Sequence, residues 1–480
     1  MIKQTILNEL IKFHDVLESN SHEKRFAEKW LSDPSFRKAF RINPKQTLSQ
    51  HHIKLDEHAI FLLNEGKSSW ALERQEQIKR QKENWTHHFY SQICAPTDES
   101  WLTWRKRQVS RQVFDLGPQH ALTNIHSSLT VELNKGCSVG CWFCALSPDK
   151  NTIPMLYESG GEARFSTLIH AMKEELGSAV KSGFLYWGSE PMDNPDYERY
   201  CLDFLAITGV FPPTTTAIPH KNPDRTRRFL KLAEQHNAWL TRFSVTSTSL
   251  MNRLHSLFTP EELATTECLY MNAESSLAFG VGGRYRDYLK KHPEILQEQK
   301  QRLKNAPFYE EIKEHLNDET HAHGSIACVT GFLVNLVDQS IALIAPTHAD
   351  DEYPLGYITF SKENFSSNSE IASTIRTVVE RGRILTLQNK DVCAFHSYIK
   401  WSQNKSDIIF QGRLGTKIRA KDLGKKLMLN SLCILLSHGN HSKQKIISSF
   451  PKEKEWIESV LHRLWLMGVL KEPRHAKTTP

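Results

Sequence analysis

The chain has 480 residues, with 39% hydrophobic and 24% charged residues and a formal net charge of +7. This balance is that of an ordinary globular protein of about three structural units, without low-complexity tracts. No apolar run approaches the ~20 residues of a transmembrane helix, and no leader-like stretch opens the chain, so we expect no membrane contact. Three of the nine cysteines cluster at metal-like spacing and the others are scattered, which favours a reducing cytoplasm.

Apolar residues recur at helical spacing through the first 120 residues. The pattern predicts helices over residues 6–17, 23–30, 68–90 and 101–116. Another helix should follow Asp33-Pro34, because Asp33 can cap its N-terminus and Pro34 suits its first turn. Residues 1–120 are therefore predicted to form a helical N-terminal domain that packs against the rest of the chain.

From residue 121 to about 410 the pattern changes to strands that alternate with helices. Strands are predicted over 129–133, 183–187, 214–218 and 239–245, and helices over 167–180 and 223–235. Such alternation is typical of parallel strands with crossover helices, so we expect an α/β fold, as a (β/α) barrel or part of one. Two apolar runs joined near Asp338 predict a β-hairpin insertion at about 325–360. Active sites in these folds lie at the C-terminal strand ends.

The last unit, over residues 411–475, has three candidate helices at 427–437, 442–449 and 451–466, followed by a short β run at 468–470. Three short helices and a wing indicate a winged-helix-like C-terminal module. Such modules bind DNA or peptides, and the basic residues are too diffuse here to favour DNA.

The segment Cys137-Ser-Val-Gly-Cys141-Trp-Phe-Cys144 follows the first predicted strand of the α/β region. Thiols at this spacing can reach three corners of one iron–sulfur cube, and no fourth cysteine stands nearby, so one iron would stay open to a ligand that is not protein. The alternatives are a zinc site or three incidental thiols. Zinc needs a fourth ligand, and candidates such as His220 are not at finger-like spacing.

The cysteine spacing, with Phe143 directly before the third cysteine, resembles the signature of radical S-adenosylmethionine (radical SAM) enzymes. So does Trp187-Gly188-Ser189-Glu190-Pro191 at the end of the next strand, where that superfamily commonly carries a Gly-Gly-Glu-Pro-like segment. The resemblance implies one [4Fe–4S] cluster on the three cysteines and S-adenosylmethionine on its open iron. It also implies that Gly188, Ser189 and Glu190 hold the amino group of that cofactor and that Phe143 lies near the adenine.

Two further sets of residues are weaker candidates for the cofactor site. Arg242 and Ser244 end a later strand, where they either contact the carboxylate or ribose of the cofactor or only terminate the strand. The run Gly280-Val-Gly-Gly283 lacks a preceding strand, so we interpret it as a turn and not as a phosphate cradle.

A narrower resemblance is to the proteusin type of peptide epimerase, which inverts residues of ribosomally made peptides. It rests on the cysteine loop and on five other segments: Asp33-Pro34-Ser-Phe36-Arg37, Thr214-Thr-Thr-Ala217, Arg242-Phe-Ser244-Val, Ala327-Cys328-Val-Thr-Gly331-Phe-Leu-Val-Asn335 and Pro354-Leu-Gly356-Tyr. The resemblance implies removal of the Cα hydrogen of an L-residue by the 5′-deoxyadenosyl radical. A cysteine thiol on the opposite face then returns a hydrogen to give the D-residue. We favour Cys393 as this donor, with Cys328 as runner-up because it stands in an apolar β run.

The expected partners are a precursor peptide, whose leader the N-terminal helices or the C-terminal module would hold, and an external electron donor. Nucleic acid is disfavoured as a partner. The alternatives are another single-cluster radical SAM enzyme that modifies peptide or RNA, and a non-enzymatic iron–sulfur or zinc sensor that binds DNA.

Overall fold

The computed structural model of the chain describes residues 16–55, 77–78, 80–81, 84, 86, 88–238, 240–272, 280–303, 327–404, 407–421 and 425–473. The predicted helix at 6–17 lies almost wholly outside these residues, and the one at 68–90 is described only in part. Among the described residues, no helix combines the length and apolar character needed to cross a membrane.

Three short helices, α1 (Ser21–Ser32), α2 (Pro34–Ile42) and α3 (Pro44–Gln50), open the described chain. Asp33 caps α2 as predicted, since its carboxylate accepts the N–H groups of Ser35 and Phe36. Phe26 and Phe36 lie in the small apolar core that the three helices share. Two further helices, α4 (Glu99–Asp115) and α5 (Pro118–Thr123), lead into the first strand.

The first sheet has four strands in the order β1, β7, β8, β9. Their bounds are β1 Ser127–Glu132, β7 Val329–Asn335, β8 Ser340–Pro346 and β9 Tyr357–Asn364. Strand β1 pairs parallel with β7, and β7 and β8 form the predicted hairpin. Instead of standing apart as an insertion, this hairpin extends the sheet of β1. The predicted strand at 183–187 forms only a parallel bridge from Phe184 to Thr130, on the other side of β1.

A second sheet joins β4 (Thr214–Thr216), β5 (Thr241–Val245) and β6 (Thr266–Tyr270), all parallel. Seven helices connect and cover the strands: α6 Glu162–Leu176, α7 Tyr197–Thr208, α8 Pro223–Gln235, α9 Thr248–Leu257, α10 Gly283–Lys291, α11 Glu294–Leu303 and α12 Ile371–Gly382. The predicted mixed α/β fold is confirmed. Within the described ranges, however, the strands form separate small sheets and no closed barrel.

The two faces of β1 meet different surroundings, because side chains alternate along a strand. Leu129 and Val131 lie in the large core shared with helix α6. On the opposite face of the sheet, Phe184, Val329 and Ala342 form a second cluster, against which Tyr186, Trp187 and Cys328 pack. We call this second side, between the two sheets, the interior face.

The C-terminal part has five short strands and three helices: β10 Val392–Cys393, β11 Lys400–Gln403, β12 Asp407–Gln411, β13 Lys417–Lys421, α13 Lys426–His438, β14 His441–Ser442, α14 Lys443–Ser448 and α15 Lys454–Leu466. The three predicted helices are present. The antiparallel sheet β11–β12–β13 was not predicted. The apolar core of this part also takes residues from Leu387 to Phe410, upstream of the predicted boundary at residue 411.

Candidate functional site

The cysteine loop, which contains Cys137, Cys141 and Cys144, lies between the two strands of a short β ladder. Strand β2 (Asn134–Lys135) pairs antiparallel with β3 (Ile153–Pro154), and the N–H of Cys137 donates to the Asp149 carbonyl at 2.8 Å. Gly136 turns the chain into the loop with φ of 82°, and a Cβ there would lie 2.0 Å from the Asn151 carbonyl oxygen. Only glycine fits this turn. Gly136 therefore determines that the cysteine loop begins directly before Cys137.

One side of the loop is held by Asp193, which belongs to the turn that follows Glu190. The Asp193 carboxylate accepts the backbone N–H of Ser138 at 2.9 Å and its hydroxyl at 2.6 Å. These two bonds tie the first thiol segment to the neighbouring Pro191–Asp193 turn. Sequence spacing does not indicate this contact, because Asp193 lies in a different segment from the cysteines.

The other side of the loop is held by the start of helix α10. The N–H of Arg284 donates to the Cys144 carbonyl at 3.0 Å, and the Arg284 guanidinium contacts the Pro148 carbonyl. A Cβ at Gly283, whose φ is 46°, would lie 2.5 Å from the Ala145 carbonyl oxygen. The glycine run that was interpreted as a turn therefore permits close approach of the helix to the cysteine loop.

The three thiols of Cys137, Cys141 and Cys144 are free and half-buried. The N–H groups of Val139 and Gly140 donate to the Cys137 sulfur. Burial, together with the two neighbouring sulfurs, raises the pKa of Cys141 to about 11. The described residues hold no group of three His, Cys, Asp or Glu side chains close around a single point. Thiolates on different irons of one cluster lie farther apart than ligands of one ion, and the three thiols of this loop could hold three corners of such a cluster.

The two aromatic residues of the loop have different surroundings. Trp142 is 40% exposed and lies 5.0 Å, centroid to centroid, from the Tyr288 ring. Phe143 is buried in an apolar cluster that includes Val281 and Tyr285. Phe143 therefore anchors the loop to the start of α10, and its predicted contact with adenine stays a prediction.

The segment Trp187–Glu190 ends beside the loop and is organised by a residue that the sequence analysis missed. Glu132, the last residue of β1, accepts the backbone N–H of Gly188 and the Ser189 hydroxyl. Burial raises the pKa of Glu132 to about 7, and these hydrogen bonds act in the opposite direction. The end of β1 thus fixes the backbone of the turn predicted to hold the cofactor's amino group.

Glu190 is buried and links this turn to the end of β4. Its carboxylate accepts the N–H of Met192 at 3.1 Å and the N–H of Ala217 at 2.8 Å. Burial raises its pKa to about 7, against the hydrogen bonds of Thr216, Ala217 and Met192. Within the described residues, neither Glu190 nor Glu132 forms an ion pair. Two buried carboxylates without a counter-cation suit a site whose ligand brings positive charge.

Arg242 lies deeper on the interior face than the turn of Glu190. Its Nε donates to the Thr215 hydroxyl at 3.0 Å, and the Tyr186 hydroxyl lies 2.7 Å from the same oxygen. Ser244 points to the same face of β5, two residues farther along. The structure brings Arg242 and Ser244 to the interior face, and it joins Arg242 to Thr215 of β4, whose hydroxyl also contacts Tyr186.

The two candidate hydrogen donors lie in different parts of the protein. Cys328 packs in the interior cluster with Tyr186 and Trp187; burial raises its pKa to about 11, against the charge of Arg242. Cys393 is fully buried in the C-terminal core, where it pairs with His441 across a two-residue ladder. Among the described contacts, none joins Cys393 to the cysteine loop or to the interior face.

Comparison with known proteins gives one informative relationship. No family model matches the chain. No solved structure matches it. The uncharacterized protein y4wI of Sinorhizobium fredii (strain NBRC 101917 / NGR234) is 30% identical over 379 residues, which cover 75% of this chain and 70% of that protein. The chain therefore belongs to the same protein family as y4wI.

Proposed function

We propose that this protein is a radical SAM enzyme that epimerises residues of a ribosomally made precursor peptide, and that its mixed first sheet and its parallel second sheet form an incomplete barrel of that enzyme class. One observation carries the proposal. Three half-buried thiols on a braced loop follow β1 at the same sheet edge where the Trp187–Glu190 turn ends. That edge is where α/β folds carry their chemistry.

In the proposed mechanism, Cys137, Cys141 and Cys144 would hold a [4Fe–4S] cluster. When bound, the cluster and S-adenosylmethionine supply the radical that removes the peptide Cα hydrogen. The chain's own residues orient these groups. Asp193 and Arg284 keep the loop rigid, and Glu132 and Glu190 fix the turn toward which the cofactor's ammonium is directed.

The hydrogen donor we propose is Cys328 and no longer Cys393. Cys328 packs against the cluster of the interior face, just before β7 and at the end of the sheet opposite to the cysteine loop, whereas Cys393 is enclosed in the C-terminal core. Its raised pKa keeps Cys328 as a thiol at neutral pH. The S–H bond breaks as the new Cα–H bond forms, which leaves a sulfur radical. One electron and one proton from the external donor and solvent restore the thiol before the next turnover.

The cluster is tested by anaerobic reconstitution with iron and sulfide, followed by assay of 5′-deoxyadenosine with S-adenosylmethionine and dithionite. The control is Cys433→Ala, which removes a thiol of the C-terminal core. Wild type and this control should bind about four irons per chain and form 5′-deoxyadenosine. Cys141→Ala should do neither. Cluster formation and cleavage by Cys141→Ala, or a single bound zinc without cleavage in wild type, would contradict the proposal.

The epimerase activity is tested with a small precursor peptide encoded beside the gene. Turnover in deuterated water should place one deuterium on the Cα of each converted residue, because a thiol exchanges its hydrogen with solvent. Cys328→Ala should still form 5′-deoxyadenosine and yield no D-residue, whereas Cys393→Ala should still epimerise. The reverse result would return the donor role to Cys393, and an unchanged peptide mass with wild type would exclude epimerisation.

A further inference from the structure

The loop between β8 and β9, residues 347–356, contacts several other parts of the protein, and we call it the strap. On one side it meets the C-terminal part. Asp350 lies 3.8 Å from the Arg413 guanidinium, and Glu352 lies 3.5 Å from the Lys471 ammonium. These four side chains are between 21% and 46% exposed. Exposed ion pairs at such distances are weak, so the strap can leave the C-terminal part without unfolding of either.

On its other side the strap is tied to helix α10, whose start braces the cysteine loop. Asp351 pairs with Lys290 at 3.2 Å and also with Arg286. The N–H of Gly283 donates to the Pro354 carbonyl at 2.8 Å, and the next residue along α10 donates its N–H to the cysteine loop. The strap and the cysteine loop are therefore joined through the first turn of one helix.

The strap also reaches both halves of the candidate site by packing. Ala349 is buried in the apolar cluster that holds Phe143 of the cysteine loop. Directly after the strap, the Tyr357 ring lies 5.1 Å, centroid to centroid, from the ring of Trp187. One loop thus connects the C-terminal part to the cysteine loop and to the start of the neighbouring turn.

We propose that the strap couples the C-terminal part to the cysteine loop. While Asp350 and Glu352 rest on the C-terminal part, the strap holds the start of α10 and Phe143 in place, and the three thiols stay half-buried. When the C-terminal part releases these two carboxylates, the cysteine loop opens and its thiols become accessible. Both ends of the strap bias the same two arrangements, which is what coupling between two sites requires.

The test measures how fast the thiols of the cysteine loop are alkylated in the full-length protein after removal of metal. Iodoacetamide labelling followed by peptide mass spectrometry gives a separate rate for each cysteine. The double variant Asp350→Asn/Glu352→Gln removes two charges and keeps the oxygens that accept hydrogen bonds within the strap. The control is Glu363→Gln, which removes the charge of an ion pair between β9 and Arg381. Cys201, fully buried in α7, reports general unfolding.

The double variant should be alkylated at the cysteine loop roughly three- to tenfold faster than wild type, with the rate of Cys201 unchanged. The rate in wild type should rise as salt is added, because salt screens exposed ion pairs, and the double variant should respond less. Glu363→Gln should match wild type. Equal rates in the double variant and wild type, or faster alkylation of Cys201 as well, would overturn the coupling.

A second variant separates one coupled strap from two independent contacts. Asp351→Asn frees the strap from α10 and should also expose the thiols. Since release of either end lets the cysteine loop open, the triple variant should be no faster than the faster of its two parents. Rate factors that multiply would mean that the two ends act independently, against the inference. These rates are measured without S-adenosylmethionine, so they test the coupling apart from the proposed function.

Discussion

At the scale of single residues, Glu132 connects the fold to the candidate site. It is the last residue of β1, it is 6% exposed, and it accepts the backbone N–H of Gly188 and the Ser189 hydroxyl. Backbone N–H groups of a buried turn need acceptors, and here a side chain supplies one. The shape of the Trp187–Glu190 turn therefore depends on a carboxylate 55 positions before that turn begins.

We predict that Glu132→Gln lowers the free energy of unfolding by about 1–3 kcal/mol, the cost of leaving buried donors without an acceptor. Glutamine has the same length but one acceptor oxygen in place of two, so the Gly188 N–H and the Ser189 hydroxyl can no longer each donate to a separate oxygen. Urea denaturation measures the change. Glu162→Gln, an exposed glutamate of α6, is the control and should be neutral. Equal stability of Glu132→Gln and wild type would show that the Trp187–Glu190 turn keeps its conformation without the Glu132 carboxylate.

Sequence patterns could predict the thiols and the turn of Glu190, but not what fixes them. The cysteine spacing and the motif at Trp187 are local signals. Asp193, Arg284 and Glu132 reach the loop or the turn from other segments, and nothing in their own neighbourhood marks them. The choice between two cysteines as donor likewise needs tertiary structure, because both stand in short β runs.

At the scale of elements, helix α4 joins the first sheet to the C-terminal part. Arg111, fully buried, donates to the Pro346 carbonyl at the end of β8. Asp115, also fully buried, accepts the N–H of His348 at 3.0 Å and pairs with Arg413 at 3.0 Å. The Arg107 guanidinium lies 3.2 Å from the ring centroid of Trp465 in α15. One helix thus contacts the strand β8, the loop after it and the C-terminal core.

We predict that Asp115→Asn lowers the free energy of unfolding by about 3–5 kcal/mol, because it leaves the buried Arg111 without its carboxylate, 3.5 Å away. Chemical denaturation at neutral pH measures the loss. The control is Asp98→Asn at the other end of α4, where the side chain caps the helix and asparagine caps as well as aspartate. Similar losses of unfolding free energy in both variants would mean that Asp115 stabilises helix α4 itself and not the contacts of that helix with other elements.

Elements with strong local signals were predictable and those without were not. Helix α8 has the predicted bounds, because Asn222 caps it, Pro223 starts it and its apolar stripe is regular. The strand predicted at 183–187 is only a bridge, and directly after it the N–H of Gly188 donates to the Glu132 side chain instead of to a neighbouring strand. The sheet β11–β12–β13 was missed because its strands have four or five residues and mix charged with apolar side chains.

At the scale of the whole molecule, a buried charged group fixes the N-terminal helices to the second sheet. Glu28 of α1 pairs with Lys24 at 2.5 Å and lies 3.0 Å from the ring of His255 in α9. Burial alone would raise the pKa of Glu28, but the charge of Lys24 and the His255 ring lower it to about 2. The N-terminal domain is therefore attached to the α/β part through an ionised carboxylate in its interface.

This attachment should depend on pH. The folded pKa of Glu28, about 2, lies below the ordinary value of 4.5, so its stabilisation is complete above pH 4.5 and is lost as the pH falls toward 2. We predict that Glu28→Gln lowers the free energy of unfolding at pH 7 by up to about 3 kcal/mol, the low end for a broken buried pair because Lys24 keeps some contact with water. The gap to wild type should narrow below pH 4.5.

Urea denaturation at pH 7, 5 and 3.5 measures this gap, and limited proteolysis at each pH reports whether the N-terminal helices detach first. Glu18→Gln, an exposed glutamate just before α1, serves as the control and should match wild type at every pH. A gap that stays constant down to pH 3.5 would mean that Glu28 acts through packing alone. Detachment without loss of the α/β core would instead show that the N-terminal helices fold and dock as a unit, which the ion pair at Glu28 holds in place.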